Sequence, residues 1–120
     1  MVEVAMRDYR FDYLAEIPAG RVVFRVTNAG TVPHELRLRP LPEDVPPIEE
    51  QLRGSQRRII SPFAGVPALD PGESASFAVD LVPGRRYALL CFLRNDEGIV
   101  HANKGMASEF RPAGAGPGGS

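Results

Sequence analysis

The chain has 120 residues, 14 basic and 15 acidic side chains and a formal net charge of −1, which excludes the strongly basic surface that nucleic acid or an anionic membrane requires. That length suits one domain with its own core, and a lone cysteine excludes an internal disulfide framework. No apolar run approaches the roughly 20 residues of a membrane helix, and Met1-Val2-Glu3-Val4 lacks the features of a secretory leader, so no transmembrane segment is expected and the chain reads as mature or cytosolic.

Short stretches of β-rich or alternating character recur between proline and glycine punctuation, the pattern of an all-β sandwich or barrel. Val2 to Arg10 and Tyr13 to Ile17 are the first predicted strands, and Pro18-Ala19-Gly20 turns the chain. Arg21 to Asn28 puts Val22, Phe24 and Val26 on one face and Arg25 and Thr27 on the other, as a half-buried strand does. After the turn Asn28-Ala29-Gly30-Thr31, a strand from His34 turns His34, Leu36 and Leu38 inward and Glu35, Arg37 and Arg39 the other way.

Between Pro40 and Pro71 the strand pattern fails. Pro42, Pro46 and Pro47 break any sheet there, and Ile48 to Arg53 reads as a short helix with Pro47 at its start and Gly54 as its stop. This segment is a short proline-rich, partly helical insertion. Strands resume at Glu73 to Leu81 and, after Pro83-Gly84, at Arg86 to Leu93, whose Tyr-Ala-Leu-Leu-Cys-Phe-Leu run is apolar on both faces, as in a central strand. Met106 to Phe110 is the last strand. The domain is expected over residues 1–112, with a flexible glycine-rich tail over 113–120.

Four scarce residues stand out from this frame. His34 and His101 are the only histidines, Cys91 is the only cysteine and Met106 is one of three methionines. Three of them form the series Cys91-x9-His101-x4-Met106. A thiolate, two imidazoles and a weak axial thioether make the donor set that suits copper passing between Cu(II) and Cu(I). Such a site takes one histidine from a distant strand and the remaining donors from around one loop. His34 lies 57 positions before Cys91 on the inward face of its strand. Asn95-Asp96-Glu97-Gly98 is strong turn chemistry, so residues between Cys91 and His101 are expected to form a small hairpin that returns His101 to the metal.

With these residues in place, the chain resembles the cupredoxins, the small type 1 or blue-copper family that includes plastocyanin and azurin. The resemblance runs through Val22-Phe24-Val26-Thr27-Asn28, Thr31-Val32-Pro33-His34-Glu35, Leu69-Asp70-Pro71-Gly72-Glu73 and Leu81-Val82-Pro83-Gly84. Its most specific part is Cys91-Phe92 with His101-Ala102-Asn103-Lys104-Gly105-Met106. It implies a Greek-key β-sandwich in which His34, Cys91 and His101 are equatorial ligands and Met106 is axial. It also implies a ring edge of His101 near the surface as the electron port, with Ile99 and Val100 beside it as an apolar docking patch. Gly105 is expected to allow close backbone approach before Met106.

Two features depart from simple members of the family. The loop from Cys91 to His101 is longer than in many single-domain cupredoxins and is closer to that of copper nitrite reductases, which allows a green site as well as a blue one. Glu35 stands where many relatives place a small amide or hydroxyl residue that ties the ligand loops together. The functional expectation is a mononuclear copper protein carrying single electrons between redox partner proteins, not an enzyme, exported to the periplasm or beyond the cell. A copper carrier or scavenger, and a copper-free cupredoxin-like interaction module, are the alternatives.

Overall fold

A computed structural model describes residues 1–13, 16–53 and 64–113. Two four-stranded sheets face each other across one core. The first has the order β2-β1-β3-β6, from β1 (Val2–Arg7), β2 (Arg10–Asp12), β3 (Gly20–Asn28) and β6 (Ser74–Leu81). The second has the order β5-β4-β7-β8, from β4 (His34–Pro40), β5 (Ala64–Leu69), β7 (Tyr87–Leu90) and β8 (Ala107–Phe110). Among the described strands only β1 and β3 pair in parallel, with Val2 opposite Phe24 and Val4 opposite Val26. The chain crosses between sheets after β3, β5 and β6, the connections of a Greek-key sandwich.

Strand parity accounts for the core. Val22, Phe24 and Val26 from β3 meet Leu36 and Leu38 from β4 and Tyr87 and Leu89 from β7 in one buried cluster, which also takes in Cys91 and Met106. The outer face of β7 is buried as well. Ala88 and Leu90 pack with Leu41, Ile48, Leu52 and Ala102 in a second cluster, so the two-faced apolarity of this strand has a physical cause: a covering layer lies outside the second sheet.

That layer includes helix α1 (Ile48–Arg53), found where the sequence places it. Six residues are too few to hold a helix in water. Burial of Ile48 and Leu52 contributes roughly 1.5–3 kcal/mol each, and Glu50 and Gln51 donate their N–H groups to the carbonyl of Pro47. Arg86 anchors the same segment from below. Its guanidinium donates to Glu109 and to the carbonyls of Pro42, Val45 and Pro46.

Four sequence expectations need correction. The first predicted strand breaks at Asp8-Tyr9, a turn between β1 and β2; Tyr13, Glu16 and Ile17 belong to no strand, and residues 14 and 15 lie outside the described ones. The stretch between Pro40 and Pro71 does contain a strand, β5. It is an edge strand, where Pro67 removes no hydrogen bond that an inner neighbour needs. The strand expected over Arg86 to Leu93 ends at Leu90. Gly54 as the helix stop and the tail from residue 114 onward lie outside the described residues.

Candidate metal centre

The sandwich gathers three of the four predicted donors at one end. His34 is the first residue of β4, Cys91 follows the last residue of the neighbouring β7, and His101 opens a 3-10 turn (His101–Lys104). All three are buried, and one donor atom from each lies within 4.8 Å of the others. The hairpin expected between Cys91 and His101 forms. Arg94 bridges to Val100, and Asn95 accepts from the N–H groups of Glu97 and Ile99 through its side chain. His101 N–H then donates to the Leu93 carbonyl at 2.7 Å, which returns the imidazole to Cys91.

The donor spacing fits one small soft cation. Bonds of roughly 2.0–2.3 Å to nitrogen and sulfur, spread around a near-trigonal centre, hold the donors about 3.5 Å apart. His34 Nδ1 lies 3.2 Å from His101 Nδ1, and Cys91 Sγ lies 3.5 Å from His101 Nδ1. Electrostatics agree with the spacing. Burial pushes the Cys91 thiol up, against the pull of backbone N–H groups from Glu35 and Leu93. Burial pushes His101 down, and neighbouring His34 adds to that. The His101 imidazole therefore favours its neutral form and the Cys91 thiol keeps its proton, and a cation that binds there displaces that proton.

Met106 is fully buried beside Cys91 in the main core. Its carbonyl accepts from Cys91 N–H, and its own N–H donates to the His101 carbonyl. Backbone pairing thus ties the methionine to both ligand positions. Gly105, with φ of 125°, lies so close to the β1–β2 turn that a Cβ there would meet the Tyr9 carbonyl at 2.6 Å.

Glu35 supplies a tie of an unexpected kind. Its N–H points to Cys91 Sγ at 3.4 Å, and its Oε2 accepts from Phe92 N–H at 3.0 Å and from Arg37 Nε at 3.1 Å. The carboxylate therefore joins the first ligand strand to the residue after Cys91. Asn28 fixes the other approach to His34. Buried at the end of β3, it donates to the carbonyls of Val32 and Leu69 and accepts from Gly30 N–H.

Two further residues at the site escape a strand-by-strand sequence reading. Asp8 accepts a hydrogen bond from His34 Nε2 at 2.6 Å. Tyr9 sets its ring edgewise against both imidazoles, with centroids 5.9 Å from His34 and 4.8 Å from His101. The one sequence signal was an aspartate inside a run read as strand, where aspartate is disfavoured. Tyr9 also packs against His101, whose ring edge was expected near the surface. His101 is only 2% exposed, and its Nε2 is buried without a hydrogen-bond partner among the described residues. A cavity of about 640 Å³ opens beside it, lined in part by Tyr9, Pro33, Leu93, His101 and Lys104. Lys104 Nζ stands 5.2 Å from the centre of the Tyr9 ring.

No protein-family model matches the chain, and no curated protein matches it. Solved structures do. Dithionite-reduced auracyanin from Roseiflexus castenholzii is 20% identical with a TM-score of 0.60, covering 92% of this chain and 94% of that one. Auracyanin B is 19% identical with a TM-score of 0.63, covering 93% of this chain and 87% of its own. Rusticyanin from Thiobacillus ferrooxidans is 17% identical with a TM-score of 0.53, covering 92% and 75%. At these identities the likeness is one of fold.

Proposed function

From a cupredoxin-like fold that buries two imidazoles and a thiol within reach of one ion, we propose that the chain is a mononuclear type 1 copper protein that carries single electrons. The carrying observation is the His34–Cys91–His101 cluster, whose donor atoms lie within 4.8 Å of one another. Copper, when bound, supplies a one-electron couple between Cu(II) and Cu(I). The chain's own residues do the rest. His34 and His101 present Nδ1 lone pairs, Cys91 presents a thiolate, and Met106 is proposed as the weak axial donor.

Rigidity favours a carrier of electrons over a carrier of copper. Each ligand is buried and tied to a neighbouring strand or loop by backbone hydrogen bonds, so one arrangement serves both oxidation states. Both of the chain's histidines are used in this cluster, which leaves no histidine for a second copper site and supports a carrier, not an enzyme. Among the described residues no helix is long and apolar enough to cross a membrane. Redox partner proteins in the periplasm or outside the cell complete the reading.

Adding Cu(II) to the apoprotein tests it. An intense thiolate-to-copper absorption band at one copper per chain is expected, lost in Cys91→Ser and shifted in Met106→Leu. A band that persists without the cysteine sinks the site. Slow copper release to a chelator, together with a reversible one-electron wave, separates electron transfer from copper delivery.

A further inference from the structure

Asp8 lies in the turn between β1 and β2, on the sheet opposite to the one that carries His34. Its carboxylate reaches across the end of the sandwich. It accepts from Thr31 N–H at 3.0 Å, from the Thr31 hydroxyl, and from His34 Nε2 at 2.6 Å. His34 has no exposed surface, while the Asp8 side chain keeps 23%. A Cβ on Gly30 would sit 2.2 Å from Asp8 Oδ1 and 2.7 Å from His34 Nε2, so the contact exists only because position 30 has no side chain. Three separate segments, the β1–β2 turn, Gly30-Thr31 and the start of β4, converge on one hydrogen bond.

An acceptor on Nε2 decides where the imidazole proton sits. A carboxylate oxygen has no proton to donate when ionised, so His34 carries a proton on Nε2, and of the two neutral tautomers only the one with its lone pair on Nδ1 makes this hydrogen bond. Nδ1 is the atom that lies 3.2 Å from His101 Nδ1. A carboxylate partner also makes an imidazole a stronger donor to metal. We propose that Asp8 is a positioning residue for the metal centre: it fixes the Nε2–H tautomer of His34 and, by its negative charge, favours the oxidised metal and lowers the reduction potential. The proposal rests on the copper reading for its second half only; the tautomer is a property of the apoprotein.

Two variants separate the acceptor from the charge. Asp8→Asn keeps an oxygen acceptor and removes the charge, whereas Asp8→Ala removes both. Nitrogen-15 NMR of the apoprotein's imidazoles reads the tautomer without any metal. Wild type is expected to show His34 protonated on Nε2, and Asp8→Ala to show a mixture. In the copper-loaded proteins, Asp8→Asn is expected to keep the thiolate-to-copper band and to shift the oxidised-to-reduced ratio at fixed ambient potential about tenfold toward reduced, which is about 59 mV upward for a one-electron couple. Asp8→Ala is expected to lose about 10–100-fold in copper affinity.

An unchanged tautomer in a folded Asp8→Ala, or a ratio within twofold of wild type in Asp8→Asn, overturns the corresponding half. If wild type binds no copper while Asp8→Ala still scrambles the tautomer, the copper reading falls and the positioning role of Asp8 stands.

Discussion

Glu35 illustrates how one side chain can satisfy a structural need by different chemistry. Where a small amide or hydroxyl was expected to join the ligand loops, a longer carboxylate bends back and accepts the Phe92 N–H directly. Only 7% of its side chain is exposed, and Arg37 shares the charge at 3.1 Å. Removing the acceptor leaves a backbone N–H beside Cys91 without its partner. Glu35→Ala is therefore expected to cost about 1–3 kcal/mol, read as a lower urea midpoint of the apoprotein. Glu35→Gln, which keeps an amide oxygen, is expected to recover most of that loss. At this scale the sequence was legible for ligands and opaque for their supports. Scarcity and donor chemistry mark His34, Cys91 and His101, but nothing local marks Asp8 or Tyr9, whose roles come from contacts 26 and 92 positions away along the chain.

Elements were legible where packing obeys period and blurred where an edge or a covering layer changes the rules. β3 and β6 follow strict alternation because one face is wet. β5 contains Pro67 and was hidden because edge geometry tolerates what an inner strand does not. The covering layer on the second sheet depends on the Arg86–Glu109 pair, 2.9 Å apart, with 6% and 23% of their side chains exposed. Arg86→Met leaves the carbonyls of Pro42, Val45 and Pro46 without that guanidinium, and is expected to cost about 2–4 kcal/mol, below a fully buried pair because Glu109 keeps water.

The same pair sets an acid limit. Burial works to raise the Glu109 carboxyl, and hydrogen bonds from Arg86 and from Ile48 N–H outweigh it, so the group lies below its ordinary 4.5. A depressed folded-state value means that the native state prefers the ionised form. Its contribution is complete above about pH 4.5 and is lost as pH falls through the lower folded value. Wild type should therefore lose more urea resistance between pH 5 and pH 3 than Glu109→Gln does. Equal losses in the two proteins would mean that this pair contributes nothing to acid stability.

On the scale of the whole molecule, the sandwich makes its metal end from both sheets. The second sheet brings the three donors, and the first sheet sends the β1–β2 turn across to cap them. Parity and loop chemistry reveal the former in the sequence; the latter depends on how two sheets meet, which no local pattern encodes. The cap covers the site, because Tyr9 packs edgewise against a His101 that is 2% exposed. Each edge contact between Tyr9 and an imidazole contributes about 0.5–1.5 kcal/mol, and about 1.4 kcal/mol corresponds to a tenfold change in rate. Removal of the ring in Tyr9→Ala also widens the cavity that Tyr9 and His101 line together. Copper release to an external chelator should then rise by about tenfold or more, with the thiolate-to-copper band retained. Ile99→Asp, which changes an exposed position on the hairpin, should leave chelator release unchanged. If instead Ile99→Asp speeds release as much as Tyr9→Ala, the hairpin and not the β1–β2 turn is what closes the site.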